Sequence, residues 1–290
     1  EYGRTGDQVV TSTAIISPQV YYNIIFSGTG TKTPSNAVNV NTLGSVTITG
    51  TSSLIVDATS NNIGLTSANT TAFNMNGGIF KVGTAATLPL MDGTYNLTGG
   101  VIQYNGGSLG TNAQSIRAKT YHAIEVYGTN VGNSAAVTLN SSGGSFTIKS
   151  GGNYFMNTNS IISTSGTNTT TVVVENGGTF RTGNAAGFSG TILADNTSIS
   201  SNIDVSNITL AAGSTVEYFR STPASVSGDQ VITNRLDYQN LTLSGNGVKT
   251  APSGTLTVKG DLVKSGTSTF AHNSGLVLLS GGNQNFAGLP

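Results

Sequence analysis

The chain has 290 residues, neither cysteine nor tryptophan, and 12 basic side chains against 12 acidic ones. Charged residues are 8% of it, against roughly 25% in an ordinary globular protein, while Thr (43), Ser (34), Asn (30) and Gly (39) make up half. A neutral chain with no basic cluster excludes the footprint of a nucleic-acid binder, the missing cysteines exclude disulfides and Cys/His metal sites, and no apolar run approaches the ~18 residues of a membrane helix.

Helical signals are missing, because no window keeps apolar residues at i, i+3, i+4 and i+7. Short alternating segments take their place. In chain order they are Val38-Asn39-Val40, Val46-Thr47-Ile48, Leu54-Ile55-Val56, Ile79 to Val82, Val101 to Tyr104, Phe146 to Ile148, Val172 to Val174, Leu256 to Val258 and Leu276 to Leu278. Gly, Asn, Ser or Asp bounds each one, and four Asn-Gly steps (Asn76-Gly77, Asn105-Gly106, Asn176-Gly177, Asn246-Gly247) supply residues tolerant of positive φ. Inward positions such as Val46 and Leu256 are aliphatic, and outward ones such as Thr47 are polar. The fold expected is all-β, a right-handed parallel β-helix or β-solenoid built from repeats, with tandem β-sandwich modules as the alternative. Scarce charge favours the solenoid, since a like charge one rung up would stand ~4.8 Å away.

Self-similarity is the strongest signal. YYNIIFSGTGTKT from Tyr21 matches YQNLTLSGNGVKT from Tyr238, which aligns Asn23 with Asn240, Gly28 with Gly245 and Lys32-Thr33 with Lys249-Thr250. Upstream, Glu1-Tyr2 and Arg4 match Glu217-Tyr218 and Arg220, and after a gap Gly6-Asp7-Gln8-Val9 matches Gly228-Asp229-Gln230-Val231. A weaker copy runs through Gln103-Tyr104, Gln114-Ser115-Ile116 and YHAIEVYG from Tyr121, and Gln284-Asn285-Phe286 opens another. The units expected are 1–101, 102–216, 217–277 and the start of a further one at 278–290. The chain opens at Glu1 without a leader and stops inside a repeat, so a piece of a longer protein is expected.

The Tyr-x-Asn-Leu-Thr-Leu-Ser-Gly-x-Gly-x-Lys-Thr string, with Gly254 to Leu262 after it, resembles repeat regions of very large cell-surface adhesins of Bacteroidota. Such proteins are cargo of the type IX secretion system, and some serve gliding motility. The resemblance implies a filamentous role on the outer bacterial surface and brings no catalytic residue with it.

Candidate chemistry is sparse. Asp195, Glu217 and Asp237 are spaced so that rungs of ~20–25 residues could stack them at one corner near Arg220, as a β-helix glycosidase or lyase would need; ordinary solvated turn residues are the plainer reading. His122 and His272 have no companion base or nucleophile in the sequence, and no Asp-rich calcium loop occurs. Tyr21, Tyr121 and Tyr238 are repeat-equivalent, so they read as core aromatics at unit boundaries before they read as sugar-stacking platforms. Thr-x-Thr triplets at Thr31, Thr47, Thr255 and Thr267 invite an ice-binding reading, which their irregular spacing opposes. Sequons at Asn69, Asn96, Asn140, Asn168, Asn196, Asn207 and Asn240 follow from composition.

The function expected is therefore a stalk or adhesive segment of a large secreted or surface protein, with no catalysis, no cofactor and no metal. Its partners would be surface glycans or other surface proteins, neighbouring repeats of the same chain, and the export machinery, with neither nucleic acid nor membrane insertion. A carbohydrate-active β-helix enzyme or glycan-binding module is one alternative, and cargo held by its secretion machinery is another.

Overall fold

A computed structural model describes the chain apart from residues 12–19, 65–69, 84–86, 107–113, 134, 157, 165–168, 190–196, 201, 221–227 and 289–290. Two compact units divide it, Glu1–Ser134 and Ala135–Pro290. In each, the strand pairs among the described residues are parallel and the chain winds into stacked coils, which is a β-solenoid and not a sandwich. The only helical element among the described residues is a single 3-10 turn, Val205–Asn207.

Alternation in the sequence sets the inside and outside of each coil. In the first unit Ile24, Val46 and Phe73 form one inward column, and Phe26, Ile48 and Met75 form the next. Between them Ile25, Thr47, Asn74 and Asn96 face outward in register. Asn96 there donates to the Asn74 side chain at 2.8 Å, and Asn74 donates to the Thr47 hydroxyl at 3.3 Å. In the second unit Tyr154, Phe180, Val216, Leu241 and Leu262 make one buried column that ends at Phe286. Phe286 is 53% exposed, because among the described residues its strand Phe286–Ala287 pairs on one side only. Leu276 and Leu278 are exposed for a different reason: they stack on Thr255 and Thr257, on the opposite face of the strand from the inward pair Leu256–Val277.

Among the described residues, paired strands of successive coils lie 17–28 residues apart, as the pairs Gln114–Val131, Asn23–Ser45, Ser45–Ala72 and Thr87–Ser115 show, with one longer coil of 36 between Phe180 and Val216. Glycine permits this stacking in two ways. Gly177 and Gly247 take positive φ, as their Asn-Gly steps suggest. Gly77 and Gly106 do not; a Cβ at Gly77 would stand 1.8 Å from the Gly50 carbonyl oxygen, and one at Gly106 would stand 2.0 Å from that of Gly83. Close approach of successive coils, rather than a turn, demands glycine at those two positions.

Candidate functional site

The repeated residues of the sequence meet at the corners of coils. The side-chain carbonyl of Gln8 accepts the Arg4 amide at 3.1 Å, Gln114 accepts that of Gly106 at 3.0 Å, Gln230 that of Arg220 at 3.0 Å, and Gln284 that of Gly281 at 3.2 Å. The loops pinned in this way span 4, 8, 10 and 3 residues, so a single glutamine closes corners of different length. That tolerance explains the gap in the sequence match between Arg4 and Arg220. The amide nitrogen of Gln230 also donates to the Thr182 and Asn184 carbonyls, and that of Gln284 donates to the Val258 and Gly260 carbonyls.

The repeat-equivalent tyrosines complete the corner. Tyr21, Tyr121 and Tyr238 donate their hydroxyls to the carbonyls of Thr11, Arg117 and Thr233, in each case the third residue after the glutamine, at 3.0, 3.0 and 3.1 Å. Tyr2 shares a hydrogen bond with Tyr21 at 3.0 Å, and Tyr218 shares one with Tyr238 at 2.7 Å. Tyr121 and Tyr238 are fully buried and Tyr21 is half-buried, which leaves none of them as a flat sugar platform. The bond from Tyr2, followed by burial, pushes the Tyr21 phenol up to about 12, and burial raises Tyr238 well above its ordinary value. Tyr21 and Tyr238 are therefore neutral donors at physiological pH.

Lysine supplies the third part, which alternation alone misses. Lys32 and Lys249 occupy inward positions, opposite Gln8 and Gln230, and both are fully buried. The Lys32 ammonium donates to the carbonyls of Arg4, Gly6 and Thr29 at 2.7–2.8 Å. Lys249 donates to those of Arg220 and Gly228 at 3.3 and 3.0 Å and to the Gln230 side chain at 2.7 Å. Asp7 and Asp229 accept the amides of Thr31 and Val248 beside them. The readable signal is the pair of Lys-Thr matches, whose offset equals that of the tyrosines.

Glu217 and Asp237 do not stack on one another. Glu217 faces outward, accepts from Arg181 Nε at 2.8 Å, and also takes the Ser244 hydroxyl. Its rung neighbours are Arg181 and Thr242, so it does not stack on Asp237. Asp237 is gripped by Arg235 through two bonds of 2.8 and 2.6 Å, and the Nε of Arg220 is buried without a partner. Asp195 lies outside the described residues, as do the sequons at Asn69, Asn168 and Asn196. His122 is half-buried with an unpartnered Nδ1, and His272 is exposed beside the turn at Asn273 and Ser274. No group of three metal-ligating side chains occurs among the described residues. The Thr triplets form no flat rank, since Thr31, Thr47, Thr255 and Thr257 stack on Ile55, Asn74, Leu276 and Leu278.

Charge is placed by the same rung logic. Asp57, Lys81, Gln103 and Glu125 succeed one another across four strands, with Gln103 donating to Glu125 at 2.8 Å. Lys149 pairs with Glu175, and Arg181 with Glu217. In these ladders each charge has an opposite or neutral neighbour.

One concave site stands out in the second unit, a cleft of about 530 Å³ between the 3-10 turn at Val205 and Ser206 and the segment Asn234 to Asp237. Asp237 is the one candidate acid of the sequence that it contains, and Thr255 of a Thr-x-Thr triplet lies in its wall. No protein-family model, curated protein or solved structure matches the chain.

Proposed function

We propose that the chain is a structural and adhesive segment of a large repetitive secreted or cell-surface protein, a stalk or adhesin that performs no catalysis. The observation that carries this reading is the fate of the repeated side chains. Gln230, Tyr238 and Lys249, like Gln8, Tyr21 and Lys32, direct their polar atoms at backbone groups of their own corners. A repeat selected for chemistry would aim them outward. Stacked coils extend by addition, each burying its neighbour's apolar face, which suits a protein that must span distance. Outward ladders of Thr, Asn and paired charges offer a long polar surface with few unpaired ions. The resemblance to Bacteroidota adhesin repeats supports a place on the outer cell surface and export by the type IX route.

Display of the full chain on a non-adherent bacterial host tests the role. Attachment to abiotic or cell-coated surfaces should exceed that of the same host without the chain. Attachment equal to that of the bare host would remove the adhesive reading.

A further inference from the structure

We propose that the cleft at Asp237 seats a neutral saccharide, recognised through its hydroxyls by a carboxylate that Arg235 holds in place; the proposal rests on the adhesive role above and gives it a ligand class. The carboxylate is built into position. Arg235 is 5% exposed and grips both Asp237 oxygens, while its Nη2 also donates to the Ile208 carbonyl at 3.2 Å and its guanidinium lies 5.7 Å from the Phe188 ring centroid. A guanidinium fixed from both sides leaves Asp237 little freedom, so a ligand meets a preorganised acceptor. The Asp237 side chain remains 38% exposed, and each of its oxygens keeps a lone pair beyond the one that Arg235 uses.

The charge balance selects the ligand class. Among the described residues, Arg235 and Asp237 are the only charged ones lining the cleft, and they neutralise each other. That pair offers neither a cation nor an anion a net counter-charge. The remaining wall is amphipathic. Asn234 and Thr255 bring amide and hydroxyl groups, while Leu236, 62% exposed, and Val205 bring apolar surface. A sugar ring has this same pairing of hydroxyl edge and C–H face, and about 530 Å³ lies within the usual range for small-ligand sites.

The test is titration of the full chain, in the presence of a chelator, with cellotriose, mannotriose and galactotriose, and with trigalacturonate as the anionic control. At least one neutral trisaccharide should bind. Asn234→Ala and Leu236→Ala alter exposed side chains and should keep the melting temperature while weakening binding about tenfold or more. Asp237→Asn should weaken it as well, and trigalacturonate should bind about tenfold less tightly than the neutral sugar or worse. Failure of all three neutral sugars to bind, binding untouched by Asn234→Ala and Leu236→Ala, or preference for trigalacturonate would each overturn the proposal. Surface attachment by a chain that binds none of the sugars would sink the cleft and leave the adhesive role standing. Loss of attachment with sugar binding intact would do the reverse.

Discussion

At the scale of single residues, buried hydroxyls divide into satisfied and orphaned ones, and the two kinds respond oppositely to deletion. Tyr238 donates to Thr233 and bonds Tyr218 in the interior, whereas the hydroxyl of Tyr154, equally buried, has no partner. Tyr238→Phe should cost about 1–3 kcal/mol, and Tyr154→Phe should be neutral or stabilise by up to about 1 kcal/mol, read from denaturant midpoints. Equal losses from the two changes would contradict the hydrogen bonding described. Lys249 gives a pH signature. Burial, aided by Arg220 and opposed by Asp229, lowers its ammonium to about 8 from an ordinary 10.5. Between those values the unfolded chain keeps a proton that the folded chain has released, so this group makes stability rise with pH across the window. Lys249→Met should flatten that rise in denaturant midpoints taken between about pH 8 and pH 10; an unchanged slope would mean that the cage does not shift the amine. The tyrosines were legible as boundary positions because they recur in the sequence. The inward turn of Lys32 and Lys249 was not, because lysine is normally a surface residue and only carbonyls gathered from a distant loop make it welcome inside.

At the scale of elements, alternation was the legible part. Val46 and Leu256 are fully buried and Thr47 is half-buried, as their strand patterns require. Val46→Asp should therefore cost about 3–5 kcal/mol by burying an unpaired charge, and Thr47→Asp about 1 kcal/mol or less. Similar melting temperatures for the two variants would reverse the inside–outside assignment. Less legible was the role of glycine. Asn76-Gly77 and Asn176-Gly177 look alike as dipeptides, yet one serves close packing of coils and the other a positive φ. What separates them is the carbonyl of the coil below, which no local pattern contains. The corner module was partly readable: glutamine and tyrosine recur, but loops of 3 to 10 residues between the pinned amide and the glutamine blur the match.

At the scale of the whole molecule, the coil and the sequence repeat are different periods. Paired strands of successive coils lie 17–28 residues apart but for one step of 36, while the Gln–Tyr corner returns from Gln8 to Gln114 to Gln230, after about four or five coils each time, and its buried lysine returns only from Lys32 to Lys249. Gln8 and Gln114 consequently sit in different sheets of the first unit, and Gln230 lies in a different sheet of the second unit from the strand that follows Gln284. The corner thus travels around the coil, and its polar groups gather in no single groove. The Asp237 cleft could not be foreseen from spacing, because Arg235 is held by Ile208 and Phe188, which come from earlier coils. The non-catalytic reading depends on Glu217 and Asp237 staying apart. The most direct measurement is a turnover assay of the full chain against a panel of plant, algal and microbial polysaccharides, following new reducing ends and unsaturated products. No product above a heat-denatured control is the predicted result. Product formation that Glu217→Gln or Asp237→Asn abolishes would contradict the account.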